Sequence, residues 1–151
     1  MNWATQRELD GVSLLNGGIS SSSSIVELEQ PIKKNERRKK HGFLSDDIIL
    51  ICAGRSEPLK GVDLLADAFS SLISEYPHLR LVIAGGGSPD AVQKKVTHHC
   101  GRVSFVGFVN KATLYELFSI SDVGVLPSLY EELGYVALEM MMMGLPVVVG
   151  N

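Results

Sequence analysis

The sequence predicts an α/β fold organised as a doubly wound parallel sheet, and three observations carry that expectation. Short, continuous apolar runs recur along the chain, as strands buried on both faces require. Between them lie segments whose apolar residues follow helical spacing. Glycine or proline follows these runs where a strand would pass into a loop.

Residues 1–45 differ from the rest and read as an interdomain connector with a flexible N-terminal segment. Gly17-Gly18 and the serine run at 20–24 favour irregular chain. Residues 33–41 carry six cations and one acid. This stretch reads as a solvated helix face or hinge, or alternatively as a patch drawn to anionic membrane lipid.

From Asp46 the alternation begins. Residues 48–53 form the first apolar run. Residues 61–76 follow helical spacing, with Val62, Leu65, Phe69, Leu72 and Ile73 on one side and Pro77 as the stop. Residues 79–84 are the second strand, closed by Gly85-Gly86-Gly87, and residues 90–100 a helix. Residues 103–106 are the third strand, and Thr113 is the expected cap of a helix running through Ser119. Residues 123–126 form the fourth strand, ended by Pro127-Ser128. A helix over 134–143 precedes a fifth strand at 146–149. An open sheet of this kind carries a further helix, so the domain over 46–151 is expected to be truncated at its C-terminus.

Composition sets outer limits. Apolar residues at 45% and charged residues at 21% are ordinary for a globular chain of 151 residues. A net charge of −3 argues against a nucleic-acid polymer as partner, because phosphate backbones demand a basic face. It leaves a nucleotide open. Cys52 and Cys100 stand alone, with Cys52 reading as a small buried hydrophobe; two such cysteines without a secretory leader suggest a reducing, cytoplasmic setting. The longest apolar candidate for a membrane span, residues 136–149, is broken by Glu139, Gly144 and Pro146. His41, His78, His98 and His99 form no metal-ligand spacing, and the adjacent His98 and His99 would diverge by about 100° on a helix. No metal or other cofactor is expected.

Ligands of open parallel sheets bind beyond the carboxyl ends of the strands. Arg55, Lys60 and Gly61 follow the first strand, the triple glycine the second, and Gly107-Phe108-Val109 the third. Pro127-Ser128, Glu131, Glu132 and Gly134 follow the fourth. The two cations suit a diphosphate, and the start of the helix near Gly134 adds unpaired backbone N–H groups. Carboxylates suit sugar hydroxyls. Together they fit a molecule with phosphates in the middle and polyols at both ends. Simpler phosphate motifs fail: the triple glycine does not supply G-x-G-x-x-G, and no G-x-x-x-x-G-K-[ST] is present.

The string Gly54-Arg55-Ser-Glu-Pro-Leu-Lys60-Gly61-Val62-Asp63 resembles the GRL…KG.D segment of retaining family 4 (group 1) glycosyltransferases. Residues 127–139 resemble that family's PS..E.FG…LE signature, with Glu131 and Glu139 at E-x7-E spacing. Gly144-Leu-Pro-Val-Val resembles its continuation, and the turns at 83–87 and 106–109 match as well. The departures are Glu132, where the family carries a small residue or proline, and Leu133, where it carries Phe. The run of methionines at 140–143 is also unusual, and reads as soft packing between helix and sheet.

The resemblance implies a Rossmann-like domain, most of the C-terminal half of a GT-B fold, that binds a nucleoside-diphosphate sugar such as a UDP- or GDP-sugar. It implies Arg55 and Lys60 on the diphosphate and Glu139 on the ribose hydroxyls. Glu131 would sit by the transferred sugar, with a catalytic role, although Glu132 competes for that place. Backbone N–H groups of Gly134, Tyr135 and Val136 would reach phosphate or sugar, with Phe108 and Val109 near the base. The acceptor site would belong to a missing N-terminal domain, the fragment alone would be inactive, and the pathway would be glycan or polysaccharide synthesis. Two other readings stay open: a nucleotide-sugar epimerase or hydrolase of the same fold, and a non-catalytic interaction module.

Overall fold

In the computed structural model, which describes residues 31–88, 90–99, 101–130 and 134–150, the apolar runs become five strands. They are β1 (Ile48–Ala53), β2 (Leu79–Ala84), β3 (Val103–Gly107), β4 (Val123–Leu126) and β5 (Val147–Val149). The helices are α1 (Pro31–Lys40), α2 (Val62–Leu72), α3 (Asp90–Val96), α4 (Lys111–Ile120) and α5 (Tyr135–Met142), with 3-10 turns at Pro58–Lys60 and Thr97–His99. The sheet runs β3-β2-β1-β4-β5 with every neighbouring pair parallel. This is the doubly wound, Rossmann-like parallel sheet that the sequence predicts.

Alternation along the two central strands builds the layers. Ile49, Ile51 and Ala53 of β1, with Val82 and Ala84 of β2, face one cluster that includes Leu117, Phe118 and Ile120 of α4 and Met140 of α5. Cys52 of β1, with Leu79, Leu81 and Ile83 of β2, faces a second cluster made with Leu65, Ala66 and Phe69 of α2 and Val92 and Val96 of α3. Two adjacent strands thus serve two cores, which is why their sequences are apolar apart from Arg80 near the start of β2.

Several boundaries differ from expectation for local reasons. α2 ends at Leu72, before Pro77 can act, and residues 73–76 close as a turn in which the Glu75 and Tyr76 N–H groups both donate to Leu72 O. Leu72 is exposed rather than on the core face. Thr113 does not cap α4; Asn110 does, its side chain accepting from the Thr113 N–H at 2.9 Å. The helix predicted over 90–100 tightens to 3-10 geometry after Val96. Met140 is fully buried against Gly124, where any side chain would collide with its sulfur, so soft packing does explain the start of the methionine run.

The charge-rich stretch becomes α1, and much of its charge turns inward. The Arg38 side chain is 6% exposed. Its Nε donates to Ile120 O at 2.9 Å, its Nη1 to Ser45 O and Asp47 O at 3.1 Å, and its Nη2 to Asp122 Oδ2 at 2.6 Å. Lys34 Nζ donates to Asp122 Oδ1 at 3.1 Å, Arg37 Nη1 to Ser119 Oγ at 3.2 Å, and Lys40 Nζ to Glu116 Oε1 at 2.8 Å. Four of the six cations therefore bond to groups of this chain, leaving Lys33 and Lys39 exposed. Among the described residues, no helix is long and apolar enough to cross a membrane.

Candidate functional site

The strand order marks where a site belongs. The chain winds outward from β1 to β2 and β3, then returns to place β4 on the other side of β1. Loops leaving β1 and β4 therefore diverge to opposite faces, and a crevice opens between them at the carboxyl edge. Pairing deepens it: β1 and β2 pair over six positions, whereas β1 and β4 pair only at Leu50–Val123 and Ile51–Gly124. Cys52 and Ala53 are thus separated from Val125 and Leu126, and a cavity of about 300 Å³ occupies the gap.

Its walls come from three segments. The end of β1 and its loop supply Cys52, Ala53, Gly54, Arg55 and Lys60; the end of β4 supplies Leu126, Pro127 and Ser128; the start of α5 supplies Gly134, Tyr135 and Val136. Gly61 ties two of them. At φ +61° it lies in the left-handed region, and a Cβ there would collide with the Pro127 carbonyl. The Leu129 N–H donates to Leu59 O at 2.9 Å across the same junction. The 3-10 turn bearing Lys60 is so held against the loop after β4.

Five of the residues anticipated from sequence meet here: Arg55, Lys60, Gly134, Tyr135 and Val136. The Arg55 side chain is 72% exposed and pairs with Glu57 at 3.1 Å, within reach of a ligand at the rim. No described side chain caps the N-terminus of α5, and Gly134, Tyr135 and Val136 at that end line the cavity.

The others fall elsewhere. Phe108 is 88% exposed at the end of β3, on the same edge but outside the cavity lining. Val109 packs partly buried against the α4-side core, so its side chain serves the fold. Glu139 lies one turn beyond Tyr135 and Val136 on α5 and bonds to the Lys111 ammonium. Glu131 and Glu132 lie outside the described residues.

The triple glycine brings two loops into contact. Gly85 at φ +142° approaches the backbone of Gly54 so closely that a Cβ would collide with the Gly54 carbonyl. The Gly54 N–H donates to Ala84 O at 2.8 Å and the Ser56 N–H to Gly86 O at 2.8 Å. These glycines let two loops pack together, and that contact supports the loop carrying Arg55.

Cys52, Ala53 and Leu126 line the cavity and were not expected in the site, because an apolar strand end carries no local sign of which neighbour it parts from; Val62, at the start of α2, lines it as well. Burial pushes the Cys52 thiol up to about 12, which leaves it an inert wall. Lys111 was also missed: it stands 28 residues from Glu139, beyond any local spacing signal. Among the described residues no cluster of His, Cys, Asp and Glu could hold a metal ion.

Known proteins match most of this chain. The model of the family described as Glycosyl transferases group 1 matches residues 33–151. A glycosyltransferase of Methanocaldococcus jannaschii is 35% identical over 145 residues, covering 94% of this chain and 37% of the relative. A GDP-mannose-dependent alpha-(1-6)-phosphatidylinositol monomannoside mannosyltransferase of Mycobacterium tuberculosis is 33% identical over 131 residues, covering 80% of this chain and 34% of the relative. The crystal structure of WaaG, a glycosyltransferase involved in lipopolysaccharide biosynthesis, superposes with a TM-score of 0.71 at 26% identity, over 80% of this chain and 33% of that one. The chain spans about a third of the length of these relatives.

Proposed function

The chain belongs to the group 1 glycosyl transferases, and from that premise we propose that its switch-point cavity binds the diphosphate of a nucleoside-diphosphate sugar. The observation that carries the reading is the convergence of Arg55, Lys60 and the start of α5, which no described side chain caps, on one cavity between β1 and β4. Two cations and a helix N-terminus suit two linked phosphates, and each alone would be unremarkable. The M. tuberculosis relative is named for a GDP-mannose donor, which is consistent with this class of ligand.

In this reading Glu139 accepts from the ribose hydroxyls and exposed Phe108, beside the Val109 backbone, lies near the base. Glu131 stands by the transferred sugar. The sugar passes with retention of configuration to an acceptor held by a second domain, in glycan or polysaccharide synthesis in the cytoplasm. Positioning donor against acceptor would supply much of the acceleration. Peripheral contact with anionic lipid has the least support, since Lys34, Arg37, Arg38 and Lys40 are turned to the protein's own groups.

Saturation-transfer NMR with a panel of UDP-, GDP- and ADP-sugars tests the donor reading. At least one should bind, with its ribose protons in contact and with competition from the free nucleoside diphosphate. Silence from every sugar nucleotide would overturn it. Retention is read from the anomeric configuration of product once an acceptor domain is supplied, and an inverted product contradicts it.

A further inference from the structure

Lys111 and Glu139 join two elements that the cavity lining does not connect. Glu139 sits one turn past Tyr135 and Val136, on the α5 face whose first turn lines the cavity, and its side chain is 15% exposed. Helical Cβ atoms tilt toward the helix start, so the Glu139 carboxylate leans toward the carboxyl edge. There the Lys111 ammonium, at the first position of α4, donates to Oε1. The lysine is itself guided: its Nζ lies 5.7 Å from the centre of the Tyr115 ring and 3.5 Å from the Tyr115 hydroxyl. Among the described residues no other side chain bonds to Glu139.

We infer that Lys111 is a positioning residue for the nucleotide's ribose, holding Glu139 at the carboxyl edge with Oε1 engaged and Oε2 left to accept from the ribose hydroxyls. The inference rests on the ribose reading of Glu139 given above. A lone glutamate on a helix rotates among several staggered side-chain states, and a diol needs its acceptor in one of them. The ammonium selects that state before the ligand arrives, which is the economy of a preorganised site. The Glu139 carboxylate in turn holds the Lys111 ammonium above its ordinary value, so the lysine stays charged through neutral pH.

The test measures dissociation constants of UDP and GDP, and of their 2′,3′-dideoxy analogues, for the wild-type chain, Lys111→Met, Lys111→Arg and Glu139→Gln. With whichever base binds, Lys111→Met should weaken the ribonucleotide about tenfold, the scale of one strongly coupled contact, while the dideoxy form shifts less than about twofold. Lys111→Arg should restore most of the loss, and a thermal melt confirms that each variant is folded. If Glu139→Gln weakens the ribonucleotide and Lys111→Met does not, positioning by Lys111 is overturned while the ribose reading survives. If Glu139→Gln has no effect, the ribose reading fails and the inference falls with it. Equal losses for ribo- and dideoxynucleotide on Lys111→Met would make the lysine a direct phosphate or base contact. Tighter binding would make it a competitor for the carboxylate. Either result overturns the inference.

Discussion

The two edges of this sheet are built on opposite plans. At the amino edge, polar groups are consumed by one another. Asp122, just before β4, accepts from the Ile49 N–H at 2.8 Å as well as from Lys34 and Arg38, and its own N–H donates to Ile49 O at 2.9 Å. Asp47, just before β1, accepts from Arg80 Nε and from the Leu44 N–H, both at 2.8 Å. At the carboxyl edge the backbone is turned by glycines, Arg55 and Lys111 reach into solvent, and a cavity stands open. One edge secures the strand ends that must stay together, and the other lines a cavity with Arg55, Lys60 and the first turn of α5. Charge by itself does not reveal function, since the densest run of cations in the chain is part of the scaffold.

The contrast breaks most visibly at Arg38. Arg38→Met removes a nearly buried cation, strands three backbone carbonyls and takes one of its partners from Asp122, so it should cost about 3–5 kcal/mol of stability. Nucleotide affinity of the folded fraction should not change. Lys at this position should restore little, because it lacks the fork of donors. Urea unfolding with a parallel titration of UDP and GDP checks both halves, and an affinity loss with intact stability would place the amino edge in the binding machinery.

Gly61→Ala should couple the two edges' properties. Forcing a side chain into the left-handed region against the Pro127 carbonyl should cost about 2–3 kcal/mol, and also weaken nucleotide binding by moving Lys60 away from the loop after β4. The same two measurements apply. Lost stability with unaltered affinity would show that the Gly61–Pro127 contact does not shape the cavity.

A smaller effect is expected from pH. Burial pushes the Asp122 carboxyl up, but the Ile49 N–H, Lys34 and Arg38 together outweigh it, so its pKa lies below the ordinary range. Hydrogen bonds from Lys40 and His41 likewise hold Glu116 below its ordinary value. A depressed folded pKa contributes stability that is complete above the unfolded value and lost as pH falls through the folded one. The chain should therefore lose stability below about pH 4, the ordinary carboxylate value. Asp122→Asn should be less stable at neutral pH and show a shallower acid loss in melts between pH 6 and 3. Parallel curves for the two proteins would remove Asp122 from the acid response.

The order of elements was legible in the sequence, because β1 and β2 each serve two cores and, Arg80 apart, are apolar throughout; the edge that carries the chemistry followed from the residues placed after each strand. The order of strands was not legible. Nothing in the run 123–126 says that it returns beside β1, yet that return makes the switch point and its cavity. Thr113 and Asn110 are both acceptable caps by residue type, and the geometry of the turn after β3 chose between them. Arg38 was read as solvated because a cation's burial depends on acceptors contributed by distant segments, here Ile120 O and Asp122. The same non-local pairing hid Lys111.

The central claim is that the carboxyl-edge cavity holds a diphosphate, and the most direct test is calorimetric titration of UDP, GDP, uridine and guanosine into the chain and its Arg55→Met/Lys60→Met variant. Arg55 is at the surface, so its replacement should hardly move the melting temperature, and a thermal melt of the double variant confirms that it is folded. At least one diphosphate should bind the wild-type chain and lose about tenfold or more in the variant, while the matching nucleoside binds both proteins alike. Equal losses for diphosphate and nucleoside, or a diphosphate that binds the variant as well as the wild-type chain, would contradict the assignment of Arg55 and Lys60 to phosphate.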